Sequence, residues 1–219
     1  MWFACNFAAM PLDRLMFPLP GKKIAFWKIT EDAEMLLQMY NPTAEEIVFL
    51  HGLHESKRLH FLSSRLLLRT LVPEGKLTKD EVGKPHFEGG SPHLSISHSG
   101  NFAAAIIDEN GPTGIDIETQ GPKILRIEDK FCNAEDKSNI HRTHHSLCLL
   151  IIWGAKESLY KWYGKKEVDF KKHMTVGPFE TGDSGRFSAS FHKPGTQQDF
   201  IMEYAVFDGH VAIWIHELL

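Results

Sequence analysis

Two long helical segments bracketing a run of short alternating strands restrict this chain to a mixed architecture. Over residues 55–72, Leu59, Phe61, Leu62, Leu66, Leu67, Leu68 and Leu71 cover most of the helix circumference, as in a buried helix. Pro73 and Gly75 close that segment. A second segment over residues 146–163 ends at Gly164, the residue type that best accepts a left-handed cap. Between them, residues 94–98 and 102–107 read as strands joined by Ser99-Gly100-Asn101, and Asn110-Gly111 signals a hairpin turn. Residues 114–118 alternate again, which predicts a third strand completing an antiparallel meander.

An earlier strand is expected over residues 22–29. It is followed by a helix that opens at Thr30-Glu31-Asp32 and stops at Asn41-Pro42. Further strands are expected over 186–191, 200–207 and 210–215. Long helix followed by short meander occurs twice, so the fold class is α+β with antiparallel sheets, in two similar halves, 1–112 and 113–219.

At 219 residues with 15 Phe, the chain can build a sizeable core without disulfides. Cys5, Cys132 and Cys148 are odd in number and far apart, so reduced thiols are expected. The formal charge of -4 argues against a general nucleic-acid binder, so any anion site is local. No stretch reaches the roughly 18 consecutive apolar residues of a membrane span. The apolar opening from Met1 to Met16 is broken by Asp13 and Arg14 and lacks a basic leader, so a soluble, cytoplasmic protein is expected.

Residues two apart in a strand share a face, so Gly-Ile-Asp-Ile-Glu projects Asp116 and Glu118 together, roughly 6 to 7 Å apart. Two like charges so placed repel, and a hard divalent cation such as magnesium, with its preference for oxygen ligands, resolves the repulsion. A solvated acidic strand face is the alternative. On the second long helix, Trp153, Glu157 and Lys161 follow one another at four-residue spacing on one face. Glu157 and Lys161 can form a surface ion pair, or a third metal carboxylate beside a phosphate-binding ammonium. Lys84, in Gly83-Lys84-Pro85, and His98, at a strand end, could approach an anion or be ordinary loop and structural residues. Arg58, Arg65 and Arg69 fall in one stripe on the first long helix at about 100° per residue, either solvated or facing an anion.

The order and spacing of these segments resemble the Sfp-type 4′-phosphopantetheinyl transferases. Gly83-Lys84-Pro85 with Ile96-Ser97-His98-Ser99-Gly100 resembles the first family block, Gly114-Ile115-Asp116-Ile117-Glu118 the second, and Trp153-Gly154-Ala155-Lys156-Glu157-Ser158 with Lys161 the third. Lys130-Phe131 with Glu135 resembles the segment between the second and third blocks, and the similarity spans about residues 55–165.

The resemblance implies two α+β subdomains related by a pseudo-twofold, with coenzyme A in the cleft between them. It makes Asp116, Glu118 and Glu157 the Mg2+ carboxylates and puts Lys161 and Lys156 near the phosphates. His98 would contact the 3′-phosphate, joined by Lys84 and Ser97, with Lys57 or Arg58 contributing from a helix that aligns in more than one register. The implied reaction transfers 4′-phosphopantetheine to a serine of an acyl or peptidyl carrier protein and releases 3′,5′-ADP. Glu157 is the first candidate for the general base, and Glu135 or a metal-bound water the next. The paired halves imply a complete cleft in one chain, hence a monomer. A non-catalytic coenzyme A or carrier-binding module on the same scaffold is the rival reading. His141, His144 and His145 invite a zinc site, but no matching cysteine or acidic partner accompanies them.

Overall fold

The computed structural model describes residues 12–81 and 83–219. The opening stretch to Pro11, with Cys5, lies outside the described residues. Eleven strands and seven helices are described. They are β1 (Leu12–Leu19), β2 (Lys22–Lys28), α1 (Ala33–Tyr40), α2 (Ala44–His51), α3 (Glu55–Leu71), β3 (Leu77–Lys79), β4 (Pro85–Phe87), β5 (His93–Ser99), β6 (Phe102–Asp108), β7 (Ile115–Thr119), α4 (Glu128–Phe131), α5 (Ala134–Ser138), α6 (His145–Tyr163), α7 (Phe170–His173), β8 (Met174–Val176), β9 (Ser184–Lys193), β10 (Thr196–Phe207) and β11 (His210–Leu218). One antiparallel sheet runs β1-β2-β6-β5 and another β7-β11-β10-β9-β8, while β3 and β4 form a separate hairpin.

Side-chain alternation explains how both sheets are covered on two faces. In β2, Ala25 and Trp27 pack with Leu62, Leu66 and Leu67 of α3, whereas Ile24 and Phe26 join a central cluster. In β11, Val211, Ile213 and Ile215 pack under α6, whereas Ala212 and Trp214 join the same central cluster. Phe26, Phe102 and Phe207 meet there edge to face, with centroids 5.1 Å and 5.4 Å apart. The layers therefore run helix, sheet, sheet, helix. Each large apolar side chain in them contributes roughly 1.5–3 kcal/mol by leaving water.

The expected meander is corrected in one respect. Strands β5 and β6 pair as a hairpin, but β7 leaves that sheet and pairs with β11, Asp116 opposite Ile213. The edges β5 and β7 are then stitched by alternate serines of β5. Ser95 Oγ accepts from Ile115 N at 3.2 Å, Ser97 Oγ donates to Asp116 Oδ1 at 2.8 Å, and Ser99 Oγ accepts from Thr119 N at 3.0 Å. At the other end of the interface, the buried Lys22 ammonium donates to the carbonyls of Ile215 and His216 and pairs with Asp108 at 3.1 Å.

Two glycines let α6 settle onto the second sheet. A Cβ at Gly114 would overlap the carbonyl oxygen of Ser158, and one at Gly154 would overlap Ile213 Cδ1. Cys132 and Cys148 are free, buried thiols, and burial pushes the Cys132 thiol up to about 12.

Candidate active site

Asp116 is 4% exposed, so its strand face is not solvated. Its Oδ1 accepts from Ser97 Oγ and from Lys161 Nζ at 2.7 Å, and Lys161 also donates to the Ile115 carbonyl at 2.9 Å. Asp116 Oδ2 is buried and has no hydrogen-bond partner. Lys161 thus reaches across to β7 instead of pairing with Glu157 along its own helix. Glu118 is held by Trp153, whose Nε1 donates to Oε1 at 2.9 Å, one turn before Glu157 on α6. Burial, and then the charge of Asp116, pushes both neighbouring carboxyls upward, Glu157 to about 7.

These three carboxylates share one electrostatic environment, yet no group of three or more His, Cys, Asp or Glu among the described residues converges closely enough to hold a metal ion. The residues nevertheless fit a hard divalent cation in kind. Asp116 offers a buried oxygen with no donor, and Glu118 and Glu157 are oxygen ligands whose ionisation the arrangement opposes. The Glu128 carboxylate meets His145 Nε2 at 2.9 Å, which corrects the expectation that no acidic partner accompanies the histidine run.

The phosphate-side candidates separate. His98 ends β5 and stacks on His60 of α3, centroids 4.2 Å apart, and desolvation followed by the His60 charge pulls its pKa down. His60 contacts the Gly100 carbonyl through Nε2 at 2.9 Å. Lys84 donates to the Lys161 carbonyl at 2.6 Å, closing one wall of a cavity of about 280 Å³ between β5 and the end of α6. Ser97 orients Asp116.

Three expected site residues lie elsewhere. Lys156 is fully buried and donates to Asp136 and to the carbonyls of Phe131, Phe170 and Met174, so it organises the second core and is not at the phosphates. Glu135 is exposed on α5, and no hydrogen bond ties its carboxylate to the cleft among the described residues. Arg58 lies two residues before His60, about 160° round the helix, and its Nε is buried with no partner. The residue that α3 presents to His98 is His60, and Lys57 is exposed. His60 and Ser95 are absent from the motif reading, which quotes Ser99 and Trp153 without giving either a role. The alternation Ser95-x-Ser97-x-Ser99 carries the signal for two of them.

Two antiparallel sheets, each backed by a long helix, with buried carboxylates and a lysine on the seam between them, define an α+β protein whose site is assembled from both sheets. Residues 112–213 match the family model described as the 4′-phosphopantetheinyl transferase superfamily. The chain is 28% identical over 124 residues to the 4′-phosphopantetheinyl transferase ffp of Bacillus subtilis, covering 51% of this chain and 55% of that one. It is 38% identical over 69 residues to AcpT of Salmonella typhi, covering 31% and 36%. It is also 27% identical over 124 residues to Sfp of Bacillus subtilis strain 168, covering 51% and 55%. The matches thus span about a third to just over half of those relatives' lengths. Among the described residues no helix is long and apolar enough to cross a membrane.

Proposed function

We propose that this protein is a magnesium-dependent 4′-phosphopantetheinyl transferase acting between coenzyme A and a serine of an acyl or peptidyl carrier protein. The observation that carries the reading is the buried, unpartnered Oδ2 of Asp116 beside two carboxyls of raised pKa, with Lys161 on the other oxygen. Asp116, Glu118 and Glu157 would hold Mg2+, which when bound neutralises pyrophosphate charge.

In the reaction the serine Oγ forms a bond to the pantetheine-side phosphorus and the bond to the bridging pyrophosphate oxygen breaks, releasing 3′,5′-ADP. Glu157 is the carboxylate that would accept the serine proton. Lys161 offsets the charge that develops on the leaving phosphate. The stacked His60 and His98 receive the 3′-phosphate, whose negative charge favours the protonated form of His98 that desolvation and the His60 charge disfavour. Subdomains 1–112 and 113–219 meet at this cleft within a monomer in the cytoplasm.

The test is intact-mass spectrometry of an apo carrier protein incubated with the chain, coenzyme A and Mg2+, with an EDTA arm. A gain of one phosphopantetheine that EDTA abolishes supports the reading; no gain across fatty-acid, polyketide and peptidyl carriers refutes it.

A further inference from the structure

The other side of α3 carries a cavity that the transfer reaction does not use. Arg65 follows His60 by five residues, about 140° round the helix. It lines a groove of about 790 Å³ between α2, α3 and β3, within the range of pockets that enclose small organic ligands. Arg65 is 8% exposed. Its guanidinium lies 4.8 Å from the Phe61 centroid and makes no hydrogen bond or ion pair among the described residues. Such a group has five donors and a strong preference for a bidentate oxyanion.

The carboxylate that acts on Arg65 is committed elsewhere, and Glu45 is exposed on α2. Glu46, the nearest carboxylate, accepts from Tyr40 Oη at 2.7 Å and from Thr43 N at 3.0 Å, which leaves Arg65 with through-space attraction only. Arg69 spends one N–H on the Tyr40 carbonyl at 2.9 Å and lies over the Tyr40 ring. At the rim, exposed Lys79 lies over the Phe49 ring at 5.4 Å, and exposed Lys76 pairs with Glu88 at 3.9 Å. Arg65, Arg69 and Lys79 therefore face Glu45 and Glu46 across a groove whose apolar walls include Phe49, Phe61 and Phe87.

We propose that this groove is a second anion site, taking a small phosphate monoester with an aromatic or apolar body, its phosphate on Arg65 and its body against the phenylalanines. A dianionic head suits Arg65 with Arg69 and Lys79 beside it, and the ring faces favour a ligand with an apolar body over a bare ion. The inference stands apart from the transfer reaction, because it rests on the opposite face of α3.

Isothermal titration of the chain with phenyl phosphate tests it, with inorganic phosphate and phenol as separated head and body. Phenyl phosphate should bind at least about tenfold more tightly than either, and Arg65→Met should weaken it by about tenfold or more, the loss of one charge-assisted pair. His98→Ala should leave that affinity unchanged. No heat with phenyl phosphate, equal affinity for inorganic phosphate, insensitivity to Arg65→Met, or loss on His98→Ala would each overturn the site, the last by assigning the binding to the cleft. Should Arg65→Met not fold, Lys79→Glu on the exposed rim decides, and undiminished affinity in that variant overturns the proposal.

Discussion

Lys161 Nζ meets Asp116 Oδ1 at 2.7 Å across the α6–β7 junction, although Glu157 lies one turn away on the lysine's own helix. The ammonium thus occupies one oxygen of a buried carboxylate and leaves the other without a donor. Asp116→Asn removes the charge at nearly constant shape. We expect carrier modification to fall about 100-fold or more, the scale of losing a main electrostatic element of a site. We also expect the Glu157 carboxyl, measured by carbon NMR, to titrate below its parent value, because Asp116 is the charge that raises it most.

Glu157 supplies a pH dependence whose sign follows from its upward shift. Its carboxyl is raised from 4.5 to about 7, so its contribution to stability is complete below about 4.5 and is lost as pH rises through about 7. Glu157→Gln cannot ionise. In EDTA, the variant should gain on the parent between pH 5 and pH 8 by about 1–2 kcal/mol in denaturant unfolding, a figure reduced for partial solvent access. A constant difference across that range would show that the carboxyl is not perturbed.

Lys156 and Asp136 form a completely buried pair. Lys156→Met strands the Asp136 carboxylate and should cost about 3–5 kcal/mol, whereas adding Asp136→Leu should restore much of the loss. Urea unfolding of the two variants measures it. A phosphate-binding lysine would instead show weakened coenzyme A binding with stability intact.

The serine ladder gives a graded prediction. Ser95 is the acceptor for a buried backbone N–H of Ile115, so Ser95→Ala should destabilise by about 1–3 kcal/mol. Ser99→Ala should cost less, because the Thr119 N–H it serves lies at an exposed position where water can replace it. Equal costs for the two would contradict the burial difference.

The long helices and most strands are legible in the sequence because periodicity is local. The expected stretches 22–29 and 102–107 coincide closely with β2 and β6, while 200–207 covers β10 without its first four residues. Helix α2 is missed because Asn41-Pro42 reads as a stop, although Thr43 and Glu46 form a capping box directly after it. The fate of β7 is illegible, since Asn110-Gly111 signals a hairpin while the actual partner, β11, lies almost a hundred residues away. The same limit governs the site. Spacing makes two pairs readable, Asp116 with Glu118 on a strand and Glu157 with Lys161 on a helix, and only the family resemblance joins them into one site. Lys156 is not separable from Lys161 there, because only the distant Asp136 and three carbonyls draw it inward. Likewise, choosing His60 over Arg58 requires knowing where β5 lies against α3.

The serine stitching has one more consequence. Ser97 and Asp116 belong to different sheets, as do Ser99 and Glu118, so carboxylates carried by the second half take hydrogen bonds from serines of the first. Parting the two sheets would leave Asp116, Glu157 and Lys161 together on β7 and α6, but would take Ser97 from Asp116 and the stacked His60 and His98 from the same cleft.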